Sequence, residues 1–388
     1  MSAAAEPDAS VDRARPTRIV LLSASAGAGH VRAAQALLAT VEAEFPGVEA
    51  IHIDILSRTP WVFRRIYSSG YVFATVRLPR VWGLLYRLTV DLDDRGPLGS
   101  LRAAAERPFL KRLFRELDEL EPDIVLTTHF LPAEFQARRT ERGRTSVPTW
   151  VVVTDFDAHS MWVQRTLAGY FAAADSIAAE LARRGVPETT VRTTGIPVMP
   201  AFANPPDRAT AAAEVGLDPT RQTVLLIAGA AGITSIATIA SRLIDLDPTL
   251  QLITIAGRNA RLRARLDALA AAHPTRLRSI GFTASMERFM ACSDLAVTKS
   301  GGLITSECLA MGLPMLVVKP IPGQEEHNAT MLVSAGAGIR AADADSVATM
   351  AIELLADSAR LAAMREAAHR LGHPEAAHQI LETVLGTI

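Results

Sequence analysis

The sequence is poor in cysteine, in long apolar runs and in net charge, and each shortage excludes a class of protein. Two cysteines, Cys292 and Cys308, are too few for a disulfide framework and stand in no metal-ligand spacing. The longest apolar run, residues 224–233, is about half of what a bilayer-spanning helix needs. Lys and Arg number 40 against 41 Asp and Glu, so no overall field attracts nucleic acid. We therefore expect a cytoplasmic protein without a membrane-spanning helix or a nucleic-acid partner.

The length of 388 residues suits two domains of roughly 150–200 residues each. Hydrophobic residues make up 49% of the chain, enough for a core in each domain. Residues 1–16 are rich in alanine with mixed charges, which predicts a disordered leader and not a signal peptide.

Short β-rich runs alternate with helical stretches along nearly the whole chain, which predicts parallel sheets covered by helices on both faces. We predict an α/β fold of two doubly wound, Rossmann-like domains with a cleft between them. The predicted strands are 18–23, 49–53, 124–127, 149–153, 191–194, 224–227, 252–255, 277–280, 295–298 and 315–318, and the predicted helices include 31–45, 176–184 and 303–311.

A proline-rich stretch after residue 195 breaks both helix and strand and marks the domain boundary. It predicts a first domain over residues 17–196, a linker over 197–206 and a second domain over 207–372. The last segment, 373–388, carries a helix that can pack back on the first domain.

Small-residue turns connect strands to helices in both halves, where backbone N–H groups and the helix dipole favour an anion. The first turn, Ser23–His30, lacks the third glycine of a dinucleotide fingerprint and the lysine of a P-loop. Its His30 is either a capping or core histidine, or a base that deprotonates an acceptor hydroxyl at the cleft. The turn Thr298–Gly302 in the second half suits a diphosphate, and Gly229–Gly232 is another turn of this kind.

Two polar features follow in the second half. Glu307 lies one turn into a predicted helix, where its carboxylate can take two ribose hydroxyls or simply face solvent. Residues 322–328 are predicted to form a polar loop, whose amide and carboxylate groups suit a sugar if the loop is not merely solvated.

Together these segments resemble the GT-B glycosyltransferases that make monogalactosyl- or monoglucosyl-diacylglycerol, relatives of the lipid II-forming N-acetylglucosaminyltransferase. The resemblance covers roughly residues 18–340. It rests on Ser23–His30, on Val152–Phe156 with His159 and Trp162, on Gly195–Val198, Ala256–Asn259, Gly281–Phe282 and Lys299–Pro314, and on Ile321–Glu325 with Asn328. Ala28 departs from the family, which often has a third glycine there, and leaves open whether its methyl group reduces activity.

The resemblance implies an inverting transfer from a UDP-sugar to a lipid acceptor. His30 is expected to be the base, and Asp155 to orient either His30 or a substrate hydroxyl. The implied donor contacts are Gly281 and Phe282 to uracil, Glu307 to ribose, Ser300, Gly301 and Gly302 to the diphosphate with Gly229 and Gly232 nearby, and Gln324 and Glu325 to the sugar, with Asn259 and Asn328 completing the site. Acceptor or membrane contacts are expected at Gly27, Gly29, Trp61, Arg64, Arg65, His129, His159 and Trp162.

Asp155 and Asp157 spell the Asp-x-Asp with which other glycosyltransferases hold a metal. They follow a strand of the acceptor domain, far in sequence from the predicted donor turns, so we interpret the match to this motif as coincidence. We expect no bound cofactor and no metal, with the UDP-sugar as co-substrate and full activity in the presence of a chelator.

The stretch between Asp54 and Asp91 has no acidic residue, but it carries six arginines interleaved with aromatic residues. This combination is typical of an element that lies at a membrane interface, with rings at headgroup depth and guanidinium groups on lipid phosphates. It predicts peripheral binding to an anionic membrane, on the inner face of the cell membrane. The alternative is that these aromatic residues pack against the flank of the first domain.

Three other functions remain open at the sequence level. The acceptor is alternatively a polyprenyl-linked sugar or a small natural product; the protein is alternatively a UDP-sugar 2-epimerase; or it binds a UDP-sugar without catalysis. The identity of the sugar, processivity and oligomeric state cannot be read from the sequence.

Overall fold

The computed structural model describes residues 15–65, 110–229 and 235–388. These residues form two six-stranded sheets, and every neighbouring pair of strands is parallel. The first sheet contains β1 Thr17–Ser23, β2 Val48–Asp54, β3 Ile124–Thr127, β4 Thr149–Val152, β5 Gly169–Ala172 and β6 Val191–Thr193. The second contains β7 Thr223–Ile227, β8 Gln251–Ile255, β9 Leu277–Ile280, β10 Leu295–Thr298, β11 Met315–Val318 and β12 Gly338–Ala341.

Helices cover both sheets, as the alternating pattern predicts. In the described part of the first half they are α1 Ala28–Glu44, α2 Trp61–Arg64, α3 Lys111–Leu120, α4 Phe130–Glu141 and α5 Asp175–Arg183. In the second half they are α6 Arg208–Val215, α7 Ile236–Leu246, α8 Ala260–Ala272, α9 Met286–Ala291, α10 Gly302–Ala310, α11 Gln324–Ser334, α12 Ala344–Ala356, α13 Ser358–Leu371 and α14 Ala376–Leu385. The predicted fold class is confirmed.

The strand orders place a crevice in each sheet. The first sheet runs β2-β1-β3-β4-β5-β6 and the second runs β12-β11-β10-β7-β8-β9. The order reverses between β1 and β3 in one sheet and between β7 and β10 in the other. Ligands of open α/β sheets bind outside the carboxyl ends of the strands at such a switch point. The turns after β1 and β10 are therefore candidate sites.

Both sheets are buried on both faces, as expected for parallel sheets between helix layers. β7 and β8 are buried over their whole lengths. One apolar cluster spans the two domains, since Ala33, Phe156 and Ala173 pack with residues of the second sheet such as Leu225 and Met315. The domains therefore share an apolar interface.

Within the described residues, the chain crosses between the domains twice. Gly195, with a φ of 83°, follows β6 at the first crossing, and a side chain at this position would collide with His373 at the second. Beyond His373, α14 packs on the first domain through Ala377, Ile380 and other apolar side chains. A hydrogen bond of 2.6 Å between His378 and Glu44 joins α14 to α1.

Three expectations about local structure were wrong. The helix after the first turn begins at Ala28, so His30 lies within its first turn and not before it. The polar segment 322–328 is not a loop throughout, because α11 begins at Gln324. Gly323 permits this start with a φ of 97° and a ψ of −117°, a conformation that side chains disfavour. Strands β5 and β12 lie outside the ranges predicted from the sequence.

In the part of the chain that the structure describes, no helix has the length and apolar character required to cross a membrane.

Candidate active site between the two domains

His30 projects from the first turn of α1 at the carboxyl end of β1. Its Nδ1 lies 2.6 Å from Thr154 Oγ1 and 3.1 Å from the carbonyl oxygen of Thr128. The Thr154 hydroxyl itself donates to the same carbonyl over 3.2 Å. A carbonyl oxygen only accepts, so Nδ1 carries the hydrogen and the lone pair resides on Nε2. Burial lowers the pKa of His30 to about 4, which keeps the ring neutral at physiological pH.

A cluster of aromatic rings surrounds His30. The ring of His129 packs edge-on against it with a centroid separation of 4.5 Å, and Trp162 lies 6.3 Å away. Burial, with a further contribution from His30, lowers the pKa of His129. This environment excludes water from one side of the His30 ring, which suits a base that must be neutral before it acts.

The amino end of α10 points toward the same region from the second domain. Its N-cap is Gly301, and a side chain on Gly302 would collide with the carbonyl oxygen of Thr154 in the first domain. Glycine therefore allows the two domains to meet here. The free N–H groups and the positive dipole end of α10 lie close to the residue that holds His30. This arrangement suits stabilisation of a departing diphosphate.

Two hydrogen bonds fix the turn before α10 against α11. The Ser300 hydroxyl donates to the backbone carbonyl of Glu325 over 2.6 Å, and Asn328 Nδ2 donates to the Ser300 carbonyl over 2.7 Å. The carboxylate of Glu325 accepts from the backbone N–H of Ile321 over 2.6 Å. These hydrogen bonds thus join the turn 299–301 directly to the first turns of α11.

Glu307 is buried in α10. Burial raises its pKa to about 8, the positive charge of Arg32 opposes this shift, and Glu287 adds to it. Arg32 belongs to α1 and also donates to the carbonyl oxygen of Ala284 in the second domain over 3.3 Å. Glu307 is therefore a carboxyl group kept from solvent between the two domains and not the solvated helix face that was the alternative.

Comparisons with known proteins give this site a context. The family model described as monogalactosyldiacylglycerol synthase matches residues 30–198. Two similar relatives are named processive diacylglycerol β-glucosyltransferase. The one from Bacillus pumilus is 27% identical over 95% of this chain and 94% of its own, and that from Bacillus subtilis is 28% identical over the same shares.

The chain belongs to the GT-B glycosyltransferases of the monogalactosyldiacylglycerol synthase family. Through residues 164–385, more than half of the chain, it also belongs to the family described as UDP-N-acetylglucosamine 2-epimerase. The two matches together span the two domains, and the two Bacillus relatives, which align along nearly the whole chain, are named glucosyltransferases.

Solved structures agree in fold. The complex of MnaA from S. aureus with UDP superposes with a TM-score of 0.62 at 18% identity, covering 95% of this chain and 96% of that one. MurG from Acinetobacter baumannii gives a TM-score of 0.56 at 14% identity over 96% and 100% of the two chains.

One of the two roles predicted for Asp155, orientation of His30, was wrong. The ring of His30 is held by Thr154 and Thr128, not by Asp155. The Asp155 carboxylate instead accepts from Gln324 Nε2 of the second domain and from the indole of Trp162. The alternative, a contact of Asp155 with a substrate hydroxyl, stays a prediction.

Several expected ligand contacts are internal supports. Trp162 is 1% exposed, so it cannot lie on a membrane face and instead binds Asp155. His129 and His159 are buried caps that accept from the N–H groups of Leu131 and Met161. Asn328 is 0% exposed and supports Ser300. Asn259 caps α8 by accepting from Leu262 N–H over 3.0 Å.

The glycines divide between the two sides of the cleft. Gly27 lies beside the ring of His30, whereas Gly29 faces Leu303 of α10 at the domain interface. Their contact with an acceptor stays a prediction. Gly229 follows β7 with a φ of 68°, and Gly232 lies outside the described residues. Gly281 precedes Phe282, whose ring is 62% exposed and lies 4.8 Å from the guanidinium carbon of Arg258.

Thr128 and Thr154 were not predicted. Thr154 adjoins Asp155 at the carboxyl end of β4, and Thr128 follows β3, where the strand order reverses. A small hydroxyl residue at a switch point was the signal that could have found Thr128, whereas Thr154 follows β4, outside the switch point.

The arginine–aromatic stretch is described only at its beginning. Trp61 is 68% exposed on α2, and Arg64 and Arg65 are exposed beside it. Arg58 forms an ion pair of 2.8 Å with Glu116 of α3. The remaining arginines of the stretch, Arg77, Arg80 and Arg87, lie outside the described residues.

Proposed function

We propose that this protein is an inverting glycosyltransferase that moves a hexose from a UDP-sugar to a diacylglycerol-type lipid at an anionic membrane surface. The observation that carries the proposal is the position of His30. It is a neutral histidine whose tautomer is fixed by Thr128, and it contacts Thr154, whose backbone carbonyl meets the amino end of α10 that is proposed to hold a diphosphate. The names of the full-length relatives support glucose as the hexose.

The reaction follows from this geometry. The acceptor hydroxyl gives its proton to Nε2 of His30 while its oxygen attacks the anomeric carbon of the sugar. The bond from that carbon to the diphosphate oxygen breaks, and UDP leaves with the bonding electron pair. The amino end of α10 stabilises the charge that develops on the diphosphate. The Thr128 carbonyl and the Thr154 hydroxyl oxygen stabilise the imidazolium ion that forms.

No metal is needed in this scheme, because the helix dipole and backbone N–H groups supply the positive potential. The Asp-x-Asp carboxylates are instead engaged by protein groups, Asp155 by Gln324 and Asp157 by His327. Activity is expected to remain complete in the presence of a chelator. Loss of activity that magnesium restores would contradict metal-independence.

The test is UDP release from UDP-glucose, UDP-galactose and UDP-N-acetylglucosamine, with and without vesicles that contain diacylglycerol. Release that depends on the vesicles and on one sugar supports the proposal, and a His30→Ala variant should lose about 100- to 10,000-fold in rate while still binding UDP. The second candidate function is that of a UDP-sugar 2-epimerase, which the match to the 2-epimerase family over residues 164–385 favours. Conversion of the UDP-sugar without any acceptor would favour that activity instead.

A further inference from the structure

Two side-chain contacts join the loop after β4 in the first domain to the first turn of α11 in the second. Gln324 Nε2 donates to Asp155 Oδ1, and His327 Nδ1 lies 3.2 Å from Asp157 Oδ2. Asp155 and Asp157 are two residues apart, and Gln324 and His327 are three apart on one side of a helix turn. The Asp-x-Asp segment therefore contacts the first turn of α11 through two neighbouring side chains.

The first contact fixes the orientation of an amide. An ionised carboxylate can only accept hydrogen bonds, so the NH₂ group of Gln324 faces Asp155 and its Oε1 faces elsewhere. Asp155 cannot easily turn away, because it is buried and the indole N–H of Trp162 also donates to it. Trp162 is itself enclosed in the core of the first domain.

The second domain anchors the same turn from its other side. Gly323 holds the start of α11 in a backbone conformation that suits glycine, and Glu325 is bound to the backbone of Ile321 and to the Ser300 hydroxyl. The Asp157–His327 pair adds an anchor from the first domain. The carboxamide of Gln324 is thus held between two domains.

We propose that Asp155 is a positioning residue that turns the carbonyl oxygen of Gln324 toward the donor sugar and so helps to select the hexose. This inference rests on the proposed function, in which Gln324 contacts the sugar of the UDP-hexose. Oε1 then accepts a hydrogen bond from a sugar hydroxyl at one defined position. A sugar that has this hydroxyl in the other orientation leaves Oε1 without a partner and binds more weakly.

The test reverses the polarity of the contact and then restores it. In Asp155→Asn the new amide can donate to Gln324 Oε1, which turns the Gln324 NH₂ toward the sugar. In Gln324→Glu two carboxylates face each other. In the double variant D155N/Q324E, the amide introduced at position 155 donates to one oxygen of the carboxylate introduced at position 324, and the other oxygen again faces the sugar. Glu326→Gln, on the same turn of α11, is the matched control.

The measurement is the dissociation constant of UDP and of each UDP-hexose by titration calorimetry, without an acceptor. We expect each single variant to bind its preferred UDP-hexose about 10-fold more weakly and UDP within about 2-fold of the parent. The double variant should recover to within about 3-fold of the parent, and Glu326→Gln should match the parent. Thermal unfolding of each variant verifies that it is folded.

Three outcomes would overturn the proposal alone, and one would overturn the proposed function with it. A double variant that binds the UDP-hexose no better than the single variants would show that the polarity of the contact is irrelevant. Equal losses for UDP and UDP-hexose would show that Asp155 only supports the nucleotide site. If the parent protein binds UDP but gains nothing from any hexose, the proposed function fails together with this inference. Tight UDP-hexose binding with no effect of Asp155→Asn overturns the inference alone.

Discussion

The imidazole Nδ1 of His30 and the hydroxyl oxygen of Thr154 lie 2.6 Å apart, although His30 lies in the helix that follows β1 and Thr154 lies in the loop that follows β4. The contact joins β1 to β4 across β3, and it places the catalytic ring against the loop that also contacts the second domain through Asp155. Thr154 therefore connects the proposed base to the domain interface.

Substitution of Thr154 tests this connection. In Thr154→Val the ring loses its hydroxyl partner, and the imidazolium ion that forms during transfer is less stabilised. We expect kcat to fall about 10- to 100-fold with little change in the KM for the UDP-sugar. Thr154→Ser keeps the hydroxyl and should retain most of the activity. Equal losses in both variants would indicate that the threonine methyl group matters and not the hydroxyl.

The pH dependence should separate two groups. Because burial lowers the pKa of His30 to about 4, kcat is expected to stay level from about pH 8 down to about pH 5. Burial and Asp157 raise the pKa of Asp155 to about 7, so this carboxyl gains a proton as the pH falls through neutrality. The KM for the UDP-sugar should then rise, because the acceptor for Gln324 is lost.

Steady-state rates over pH 5 to 9 give both profiles. Asp155→Asn should remove the change of KM near pH 7 and leave the kcat profile level. Protonation of His327, whose pKa its hydrogen bond with Asp157 raises, strengthens the second interdomain contact at low pH and acts in the opposite direction. A kcat that falls with a midpoint near 6.5 would contradict the low pKa of His30.

Glu307 should make stability depend on pH. Its pKa is about 8 in the folded protein and 4.5 as the unperturbed value, so between these limits the folded state binds more protons than the unfolded state. The free energy of unfolding therefore falls as the pH rises from about 4.5 to 8. Glu307→Gln removes this contribution and should raise Tm at pH 8.5 by at least roughly 2–4 °C.

The same variant should bind UDP about 10-fold more weakly, since it lacks the carboxylate proposed for the ribose. Calorimetric unfolding at pH 5 and pH 8.5 gives the stability difference, and Glu366→Gln at an exposed position is the control. A Tm for Glu307→Gln below that of the parent at pH 8.5 would mean that burial of the charge is fully compensated.

Gly302 lies where the backbones of the two domains approach each other closely. In Gly302→Ala the methyl group would collide with the carbonyl oxygen of Thr154 and displace α10 from His30. A displacement of about 1 Å can lower kcat about 100-fold, whereas UDP affinity should change much less. In Gly29→Ala the methyl group meets Leu303 at an ordinary 3.5 Å, so the loss should stay below about 10-fold. Similar rates in the two variants would argue against a close domain contact during catalysis.

Membrane binding can be tested at the described end of the arginine–aromatic stretch. Replacing Trp61, Arg64 and Arg65 by alanine removes one exposed ring and two exposed charges. Each charge near an anionic surface is worth about 1 kcal/mol, so co-sedimentation with anionic vesicles should weaken by at least about 10-fold at low salt. Unchanged sedimentation of the triple variant would assign the membrane contact to other residues.

The fold could be predicted because its main determinant is local. The predicted bounds of β3, β9, β10 and β11 agree with the structure. For β3, β10 and β11 the reason is that short buried apolar runs between turns are typical of central parallel strands. β9 is an edge strand in which only Leu277 is buried. β5 escaped prediction because it begins with Gly169, a residue that weakens a strand pattern. That glycine is required by a contact: the ring of Trp150 occupies the space of a side chain there.

The site could be predicted only as far as one domain determines it. His30 and the turn before α10 follow strands and carry local patterns. The contact of Asp155 with Gln324 joins positions 169 residues apart in the chain and depends on how the two domains pack. No spacing in the sequence encodes that packing, so the Asp-x-Asp segment was interpreted as coincidence and its interdomain contacts were not foreseen.

The return of the chain at His373 means that the two domains are not separable by a single cut. α14 supplies Ala377, Ile380, Leu381 and Val384 to the core around β1 and α1. A fragment that ended in the proline-rich linker would lack α14. It would expose the apolar surface of β1 and α1 that α14 covers, and it would be prone to aggregate. If the chain were cleaved in the linker, the two pieces would instead stay together, because α14 of the carboxyl-terminal piece packs in the core of the first domain.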